Sequence, residues 1–552
     1  MDNFVPAPQS PPTEHFRGLP ELHFNHTDVP TSVAFAWEYD ELSPKTLATA
    51  LSRGCDTDTI KQYIEQFPKP RVSSILELRV EGHRVITYAI DTENAQIIQS
   101  LLEYDFDINC RDFDDIPLLA FAIMRSPKVG GNHLEVVRLL LSHGADPLVI
   151  PIAMWKDYIK MPVVDGYSGT RGPESERWCV GKYQEVLVKS LNLTTRYYLW
   201  RASRLRRYSK RMVQIARSHN MTALLKLPFQ IIGQEMTVKL VLETVFAHMA
   251  ADTAKPLVMA FVGPSGHGKT ELAKQMGSLL SIPTTTLDCT QLDTQAALFG
   301  SSYGYQGNTT GAPLNNFLVA NQGKRCVVFL DEFDKTRQDV WNALLRVMDD
   351  GTYRDRRGGY DNHELDCRKV IWILASNYGQ DAINTFHTNN FAKSKEEDLD
   401  KISITPLQDT LARRFMARFS AAVTGRIDTI APYFPFSPGE QVVVCRKFLL
   451  AMQDEARLPV NVGNQRLIGQ ANITVYDDGG LCKEICARYY NRELGARSIA
   501  NGVDALRRQF ILSYADTDNL VSDTMNERDP ERYAAQRDPR PGSNKEPAIF
   551  RR

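Results

Sequence analysis

Eight consecutive residues near the middle of the chain have the types and spacing of a phosphate-binding loop. They follow the apolar run 257–262 and precede the helix-forming run 271–276, and they are Gly263, Pro264, Ser265, Gly266, His267, Gly268, Lys269 and Thr270. Glycines allow backbone N–H groups to converge on phosphate oxygens, and the dipole at the start of a helix favours an anion there. Lys269 would contact the β and γ phosphates of a nucleotide, and Thr270 would bind Mg²⁺. The sequence therefore predicts a nucleotide site at this loop.

Two further apolar runs end in polar residues that suit the same chemistry. The run 327–330 is followed by Asp331 and Glu332, and the run 370–375 is followed by Ser376 and Asn377. Asp331 would bind Mg²⁺ through water, and Glu332 would orient and deprotonate an attacking water. Asn377 is a candidate for positioning that water. Because buried strands that alternate with helical sequence form parallel sheets, we expect an α/β fold with its site at the carboxyl ends of the strands.

Four segments around these residues carry a resemblance to a known family. They resemble the second AAA+ ATPase module of the Clp/ClpB protein disaggregases, and they are 263–276, 329–335, 344–351 and 376–379. The resemblance extends over about residues 222–515. It implies a P-loop AAA+ ATPase that uses ATP and Mg²⁺, assembles as a ring, usually a homohexamer, and threads unfolded or aggregated polypeptide through a central pore.

The same resemblance assigns roles to five more residues. Ile231 and Ile232 correspond to the segment that contacts adenine, and Arg497 corresponds to the sensor-two arginine. Arg426 corresponds to the arginine finger, which would act on the γ-phosphate bound by a neighbouring subunit. Tyr305 stands where the family carries its substrate-gripping pore loop. Without the surrounding motifs, each arginine would be interpreted as part of a surface ion pair, and Tyr305 as part of a glycine-rich surface loop.

An internal sequence repeat precedes the ATPase motifs. The segment 101–107 is repeated at 140–146, and each copy follows a matching helix start. The pattern resembles ankyrin repeats, whose role would be to bind a protein partner or a client. Because each repeat needs a neighbour to cover its apolar face, we expect further degenerate units at 44–81 and 147–165. An ordinary helical hairpin domain is the alternative.

These features predict a multidomain chain. It would contain an α-helical ankyrin solenoid, an α/β P-loop AAA+ domain with a parallel sheet and flanking helices, and a small C-terminal α/β lid. The predicted boundaries are 1–40 for a disordered arm, 41–165 for the ankyrin region, 166–221 for a linker with a basic helix, 222–430 for the large ATPase domain, 431–518 for the small domain and 519–552 for a disordered tail.

The linker carries a local run of basic residues within a chain whose formal net charge is only −1. The run consists of Arg196, Arg201, Arg204, Arg206, Arg207, Lys210 and Arg211. It indicates either a solvated amphipathic helix, which we favour, or a contact with nucleic acid or another acidic surface. The apolar runs are too short for a transmembrane helix, so we expect no membrane contact. The absence of a leader segment favours the cytoplasm or the nucleus.

The predicted function is that of an ATP-dependent protein unfoldase or disaggregase. The second hypothesis is an ankyrin scaffold or signalling protein that ATP switches between assembly states. A nucleic-acid remodelling ATPase ranks last because it depends mainly on the basic run. The tripeptide [Ile/Leu]-Gly-[Phe/Leu], which related unfoldases use to dock a peptidase, is absent from the chain, so we expect no Clp peptidase partner.

Overall fold

A computed structural model describes most of the chain. The described residues are 42–125, 133–162, 174–251, 253–300, 312–355, 364–391, 402–517, 519–538 and 546–552. The predictions for the arm 1–40 and for Tyr305 therefore lie outside the described residues. None of the helices in these ranges is long and apolar enough to cross a lipid bilayer.

The N-terminal region consists of short helices that pack in pairs. Its elements are α1 (Pro44–Ser52), α2 (Thr57–Glu65), α3 (Lys69–Glu77), β1 (Arg79–Val80), β2 (His83–Arg84), α4 (Val85–Asp91), α5 (Ala95–Leu101), α6 (Leu118–Met124) and α7 (His133–Ser142). Asp112 fixes a turn between pairs, since its carboxylate accepts a hydrogen bond from the Arg84 N–H at 2.9 Å. Among the described residues 147–162 there is no helix pair, only two short 3-10 turns, so the degenerate repeat expected there is not formed.

Four helices connect this region to the sheet. They are α8 (Lys182–Ser190), α9 (Leu193–Arg204), α10 (Lys210–Ser218) and α11 (Glu235–Ala250). The prediction of a solvated basic helix is wrong for the first part of the run, because Arg196 and Arg201 on α9 are 0% and 1% exposed. The later basic residues, such as Arg206 and Lys210, are exposed.

The AAA region contains a parallel sheet, as the sequence predicts, and the structure gives it five strands. This region contains β3 (Leu257–Val262), α12 (Lys269–Leu280), β4 (Thr284–Asp288), α13 (Gln295–Phe299), α14 (Pro313–Ala320), β5 (Cys326–Asp331), α15 (Gln338–Asp349), β6 (Thr352–Arg354), β7 (Glu364–Asp366), β8 (Val370–Ser376), α16 (Gln380–Phe386), α17 (Thr405–Thr424) and β9 (Thr429–Pro432). The strand order is β4-β5-β8-β3-β9, and every neighbouring pair is parallel.

The two faces of this sheet are both covered. Alternate residues of β3 belong to different apolar clusters, Val258 to one face and Met259 to the other. β3 and β8 are buried along their whole length, and their sequences are apolar except for Ser376 at the end of β8, as is typical of strands covered on both faces. The carboxyl ends of β3, β5 and β8 consequently lie side by side at one edge.

The C-terminal region is a small α/β unit, hereafter the C-terminal unit. It contains α18 (Pro438–Arg457), β10 (Ala471–Val475), α19 (Asp478–Tyr489), α20 (Ala496–Ala515), β11 (Glu531–Arg537) and β12 (Pro547–Arg551). The strands form a sheet in the order β10-β11-β12. The prediction of a disordered tail is therefore wrong for these residues. Tyr533 and Ala535 are both fully buried, because pairing with β10 places the middle of this charged segment against α19 and α20.

Helix α9 is attached directly to the C-terminal unit. Asp478 at the start of α19 accepts hydrogen bonds from the Leu193 N–H at 2.6 Å and from Arg196 Nη2 at 2.9 Å. Arg446 on α18 lies 3.6 Å from the same carboxylate. One apolar cluster runs without interruption from the N-terminal helices through α9 into α18, α19 and α20. The two ends of the described chain thus share a single core.

Candidate nucleotide-binding site

The glycine loop connects β3 to α12 in the conformation that its glycines permit. Gly266 and Gly268 have φ angles of +72° and +97°, in the left-handed region where residues with a Cβ are strained. Gly266 also has no room for a side chain, since a Cβ there would lie 2.0 Å from the Leu494 carbonyl oxygen. α12 then begins at Lys269, so the loop leads directly to a helix N-terminus. This arrangement suits an anion.

The Lys269 ammonium is held above the loop by neutral oxygens. Its Nζ donates to the carbonyl oxygens of Gly263 at 2.6 Å and Pro264 at 3.0 Å, and to Asn377 Oδ1 at 2.8 Å. Burial lowers the pKa of Lys269 to about 8, although the carboxylates of Asp331 and Glu332 oppose that shift. The ammonium is therefore positioned at the loop by groups that do not neutralise its charge.

Oxygen atoms suited to Mg²⁺ and to water activation lie beside the lysine. Thr270 Oγ1 donates to Asp331 Oδ2 at 3.4 Å, so a hydroxyl and a carboxylate meet where α12 faces the end of β5. Asn377 Nδ2 donates to Glu332 Oε1 at 3.5 Å. The Asn377 side chain thus contacts both Lys269 and Glu332. Hydroxyl and carboxylate oxygens are the ligands that Mg²⁺ prefers, and so the residues present fit this ion.

His267 contributes to the packing of the loop. Its Nδ1–H donates to the Ser265 carbonyl oxygen at 2.7 Å, and its ring stacks on Phe436 at a centroid distance of 5.0 Å. Burial lowers the pKa of His267 to about 4, so the ring is neutral near pH 7. Its place in the site is to connect the glycine loop to the C-terminal unit.

The C-terminal unit closes the site from the other side. Arg497 Nη1 donates to Ser265 Oγ at 2.9 Å, and the Ala496 N–H donates to the Gly266 carbonyl oxygen at 2.9 Å. Between the loop and this unit lies a cavity of about 360 Å³. The apolar part of its lining, hereafter the apolar end, consists of Ile231, Ile232, Phe436, Val444 and Phe448. A cavity with cationic and apolar ends has the chemistry that a nucleotide requires.

The structure brings most of the predicted site residues to this one cavity. The predicted residues that line it are Ile231, Ile232, Ser265, Gly266, His267, Gly268, Lys269, Thr270, Asp331, Glu332, Asn377 and Arg497. Gly263 and Pro264 contribute through their bonds to Lys269. Arg426 does not line the cavity, and its guanidinium instead contacts the Leu345 carbonyl oxygen at 3.0 Å and Asp349 at 2.8 Å. A residue that acts on a neighbouring subunit need not line its own site, so its role stays a prediction.

Sequence reasoning missed several residues of the site, among them Asp334 and a group on α18. Asp334 accepts a hydrogen bond from the Asn377 N–H at 3.0 Å and thereby fixes the end of β8. Its position three residues after Asp331 was a usable signal. Val444, Lys447 and Phe448 line the cavity from α18, where the spacing of three and four residues places them on one helix face. That spacing does not show what the helix face packs against, so the sequence of α18 alone does not indicate contact with a nucleotide.

Comparisons with known proteins agree with these observations. Residues 255–429 match the model of the AAA domain (Cdc48 subfamily), and residues 117–150 match the ankyrin repeat. The mitochondrial disaggregase of Rattus norvegicus is 28% identical over 276 residues, which cover 46% of this chain and 38% of that protein. The chaperone protein ClpB of Chlamydia pneumoniae is 29% identical over 224 residues, or 39% of this chain and 24% of that protein.

The chain thus spans well under half the length of these relatives. Among solved structures, a closed state of Hsp104 with ATPγS and FITC-casein has a TM-score of 0.44 and 15% identity, over 93% of this chain and 69% of that chain. The segments matched by sequence contain the glycine loop, the ends of β5 and β8 and the helix pair α6 and α7. The chain thus contains an AAA domain with an ankyrin repeat ahead of it, and it is similar to ClpB chaperones and to mitochondrial disaggregases.

Proposed function

We propose that the protein is an ATP-dependent unfoldase or disaggregase that assembles as a ring, expected to be a homohexamer, and threads polypeptide through its pore. The observation that carries the proposal is the convergence of a lysine, a hydroxyl, two carboxylates and an amide on one cavity. These groups come from the ends of the two adjacent strands β5 and β8 and from the start of α12. The relationship to ClpB and to mitochondrial disaggregases supports the step from ATP hydrolysis to work on protein clients.

The residues of this chain divide the chemistry among them. Lys269 and the backbone N–H groups at the start of α12 bind the phosphates and oppose their negative charge. Thr270 and Asp331 would bind Mg²⁺, which, when present, stabilises charge on the phosphate oxygens. Glu332 accepts a proton from the attacking water, while Asn377 holds the Glu332 carboxylate in place. Arg497 would add a positive charge from the C-terminal unit.

The remaining parts have proposed roles in assembly and client handling. The N-terminal helices form an ankyrin solenoid that binds a client or a protein partner, and the C-terminal unit acts as a lid. Arg426 completes the site of a neighbouring subunit, which makes hydrolysis depend on assembly. Tyr305 grips the polypeptide through its large amphipathic ring.

The nucleic-acid hypothesis loses much of its support. Arg196 and Arg201 are buried and bonded within the protein, so they cannot contact phosphates of a nucleic acid. The exposed residues Arg206, Arg207, Lys210 and Arg211 remain as a local basic surface. Nucleic-acid-stimulated hydrolysis with a steep salt dependence would revive the hypothesis.

The test measures ATP hydrolysis and reactivation of an aggregated reporter enzyme in the same samples. The intact protein is compared with Tyr305→Ala, and Glu332→Gln serves as the control without hydrolysis. We expect the intact protein to do both, Tyr305→Ala to hydrolyse ATP without reactivating the reporter, and Glu332→Gln to do neither. Hydrolysis by the intact protein without any reactivation would contradict the proposal and favour the ATP-switched scaffold.

A further inference from the structure

The segment 230–234, which lines the apolar end of the cavity, is held by side chains from outside the AAA domain. Gln230, Ile231 and Ile232 line the cavity directly. Gly233 follows them with a φ angle of +67° and is followed by the left-handed Gln234. The path of this segment therefore depends on contacts that stabilise an unusual backbone.

Helix α9 binds both backbone polar groups of Gly233. The Gly233 N–H donates to the Tyr197 hydroxyl oxygen at 2.9 Å, and Arg201 Nη1 donates to the Gly233 carbonyl oxygen at 3.2 Å. Arg201 Nη1 also donates to the Tyr197 hydroxyl oxygen at 2.7 Å. All three groups are buried, so no water competes for these bonds. Tyr197 and Arg201 thus form a clamp on one peptide segment.

The clamp costs free energy that packing alone does not explain. Arg201 is 1% exposed. Burial alone would lower the pKa of Arg201, but nearby groups that include the carboxylate of Glu235 raise it. Arg201 in turn opposes the rise that burial causes in the pKa of Glu440, so two nearby carboxylates favour its charged form. Two of the Arg201 guanidinium nitrogens, Nε and Nη2, have no hydrogen-bond partner among the described residues. Because the hydrogen-bond acceptors of Arg201 are neutral, the two carboxylates compensate the burial of the cation only in part. An apolar side chain of the same size would avoid that cost but could not form the bonds to Tyr197 and Gly233.

The segment also packs closely against α18. A Cβ on Gly233 would lie 2.4 Å from Glu440 Oε1, so this position has no room for a side chain. Gln230 accepts a hydrogen bond from Arg138 on α7, the second helix of the ankyrin repeat. The cavity wall is therefore held between the N-terminal helices and the C-terminal unit.

We propose that Tyr197 and Arg201 are positioning residues that shape the apolar end of the cavity and thereby set its affinity for the base of a nucleotide. The glycine loop binds phosphates through separate residues, so the clamp acts on the base and not on the phosphates. The inference rests on the proposed function, because it assumes that the cavity binds a nucleotide. It adds that the helices ahead of the AAA domain control the affinity of the cavity for the nucleotide.

The test compares two ligands on the full-length protein. ADP occupies both ends of the cavity, whereas pyrophosphate needs the glycine loop alone. For Tyr197→Phe, which keeps the ring and removes the hydroxyl, we expect the Kd of ADP to rise about five- to tenfold, as for the loss of a buried hydrogen bond. The Kd of pyrophosphate should stay within about twofold, since its contacts do not change. In hydrolysis, KM for ATP should rise while kcat at saturating ATP is unchanged.

Tyr198→Phe is the matched control. Tyr198 is the next residue on α9 and is also buried. Its ring packs on Arg138, a contact that the substitution keeps, and its hydroxyl has no bond to segment 230–234. This variant should bind both ligands as the intact protein does. Arg201→Lys, which retains a cation but loses the planar fork, should weaken ADP selectively and provides a second probe if Tyr197→Phe folds poorly.

Three results would overturn the inference. Equal weakening of ADP and pyrophosphate would show general damage to the site, and unchanged ADP binding in both variants would show that the clamp has no influence on it. In either case the intact protein still binds ADP, so the proposed function survives. An intact protein that binds no ADP would overturn the proposed function and this inference together.

Discussion

Charged residues serve opposite purposes at the sheet edge and at the contact between α9 and the C-terminal unit. At the sheet edge, Lys269 is bound by neutral oxygens and its charge faces a cavity. At the α9 contact, Arg196 and Asp478 are both almost fully buried and bound to each other at 2.9 Å. The first arrangement leaves charge available for a ligand, and the second uses charge to join two parts of the chain.

This contrast separates charges that serve the ligand from charges that serve the fold. Substitution of a residue at the sheet edge should lower ATP hydrolysis but leave the free energy of unfolding nearly unchanged. Residues at the α9 contact should show the reverse, because removing one partner leaves a buried charge without compensation. Each of the following predictions tests one side of this comparison.

The largest effect is expected for Glu332→Gln. The amide cannot accept a proton from water, so kcat should fall by about 10²- to 10⁴-fold, the usual contribution of a general base. The Kd of ADP and the thermal midpoint should change little, because Glu332 is partly exposed and the substitution keeps its shape. Steady-state hydrolysis and calorimetry give the measurements. Glu243→Gln, an exposed acid on α11, is the control and should behave as the intact protein.

Asp478→Ala should reduce stability strongly. The substitution leaves Arg196 buried without its carboxylate and removes the acceptor of the Leu193 N–H, so the free energy of unfolding should fall by about 3–5 kcal/mol. Denaturant unfolding followed by circular dichroism measures it. The neighbouring Asp477→Ala should cost only about 1 kcal/mol, because Asp477 is a half-exposed helix cap. Equal losses in the two variants would remove the distinction between buried and exposed charge.

The smallest effect concerns pH and Lys269. Its pKa is lowered to about 8 in the free protein, and bound phosphate favours the charged form. Between pH 7 and pH 9 the free lysine loses its proton, so the Kd of ADP should rise by roughly tenfold. Lys269→Met should bind weakly and equally at both values of pH. A flat profile in the intact protein would show that the ammonium stays charged throughout.

A rise in pH should affect the stability of the fold in the opposite direction to ADP affinity. Between the folded pKa of about 8 and the ordinary value of 10.5, the unfolded chain binds more protons at this residue than the folded chain. Stability therefore gains a contribution as pH rises through this window. A variant such as Lys269→Met should lack that contribution when thermal midpoints are compared between pH 8 and pH 10.

The sheet and its polar edge were predictable because their signals are local. The glycine loop, Asp331 with Glu332, and Asn377 each follow a continuous apolar strand, and parallel pairing then places the three strand ends together. The errors arose where a signal depends on a distant partner. Arg196 appeared solvated because Asp478 lies 282 residues further along the chain. Residues 531–537 appeared disordered because β10, which pairs with them, is separated from them by two helices.

The continuous core between the N-terminal helices and the C-terminal unit has a consequence for deletion experiments. Deletion of all residues ahead of the AAA domain would remove α9 and uncover the face of α18 that now packs against it. Such a surface in water invites self-association. A truncated protein that begins at the AAA domain would thus be expected to precipitate or to bind promiscuously to hydrophobic dyes. Activity lost after such a deletion could result from the exposed core as well as from a missing recognition surface.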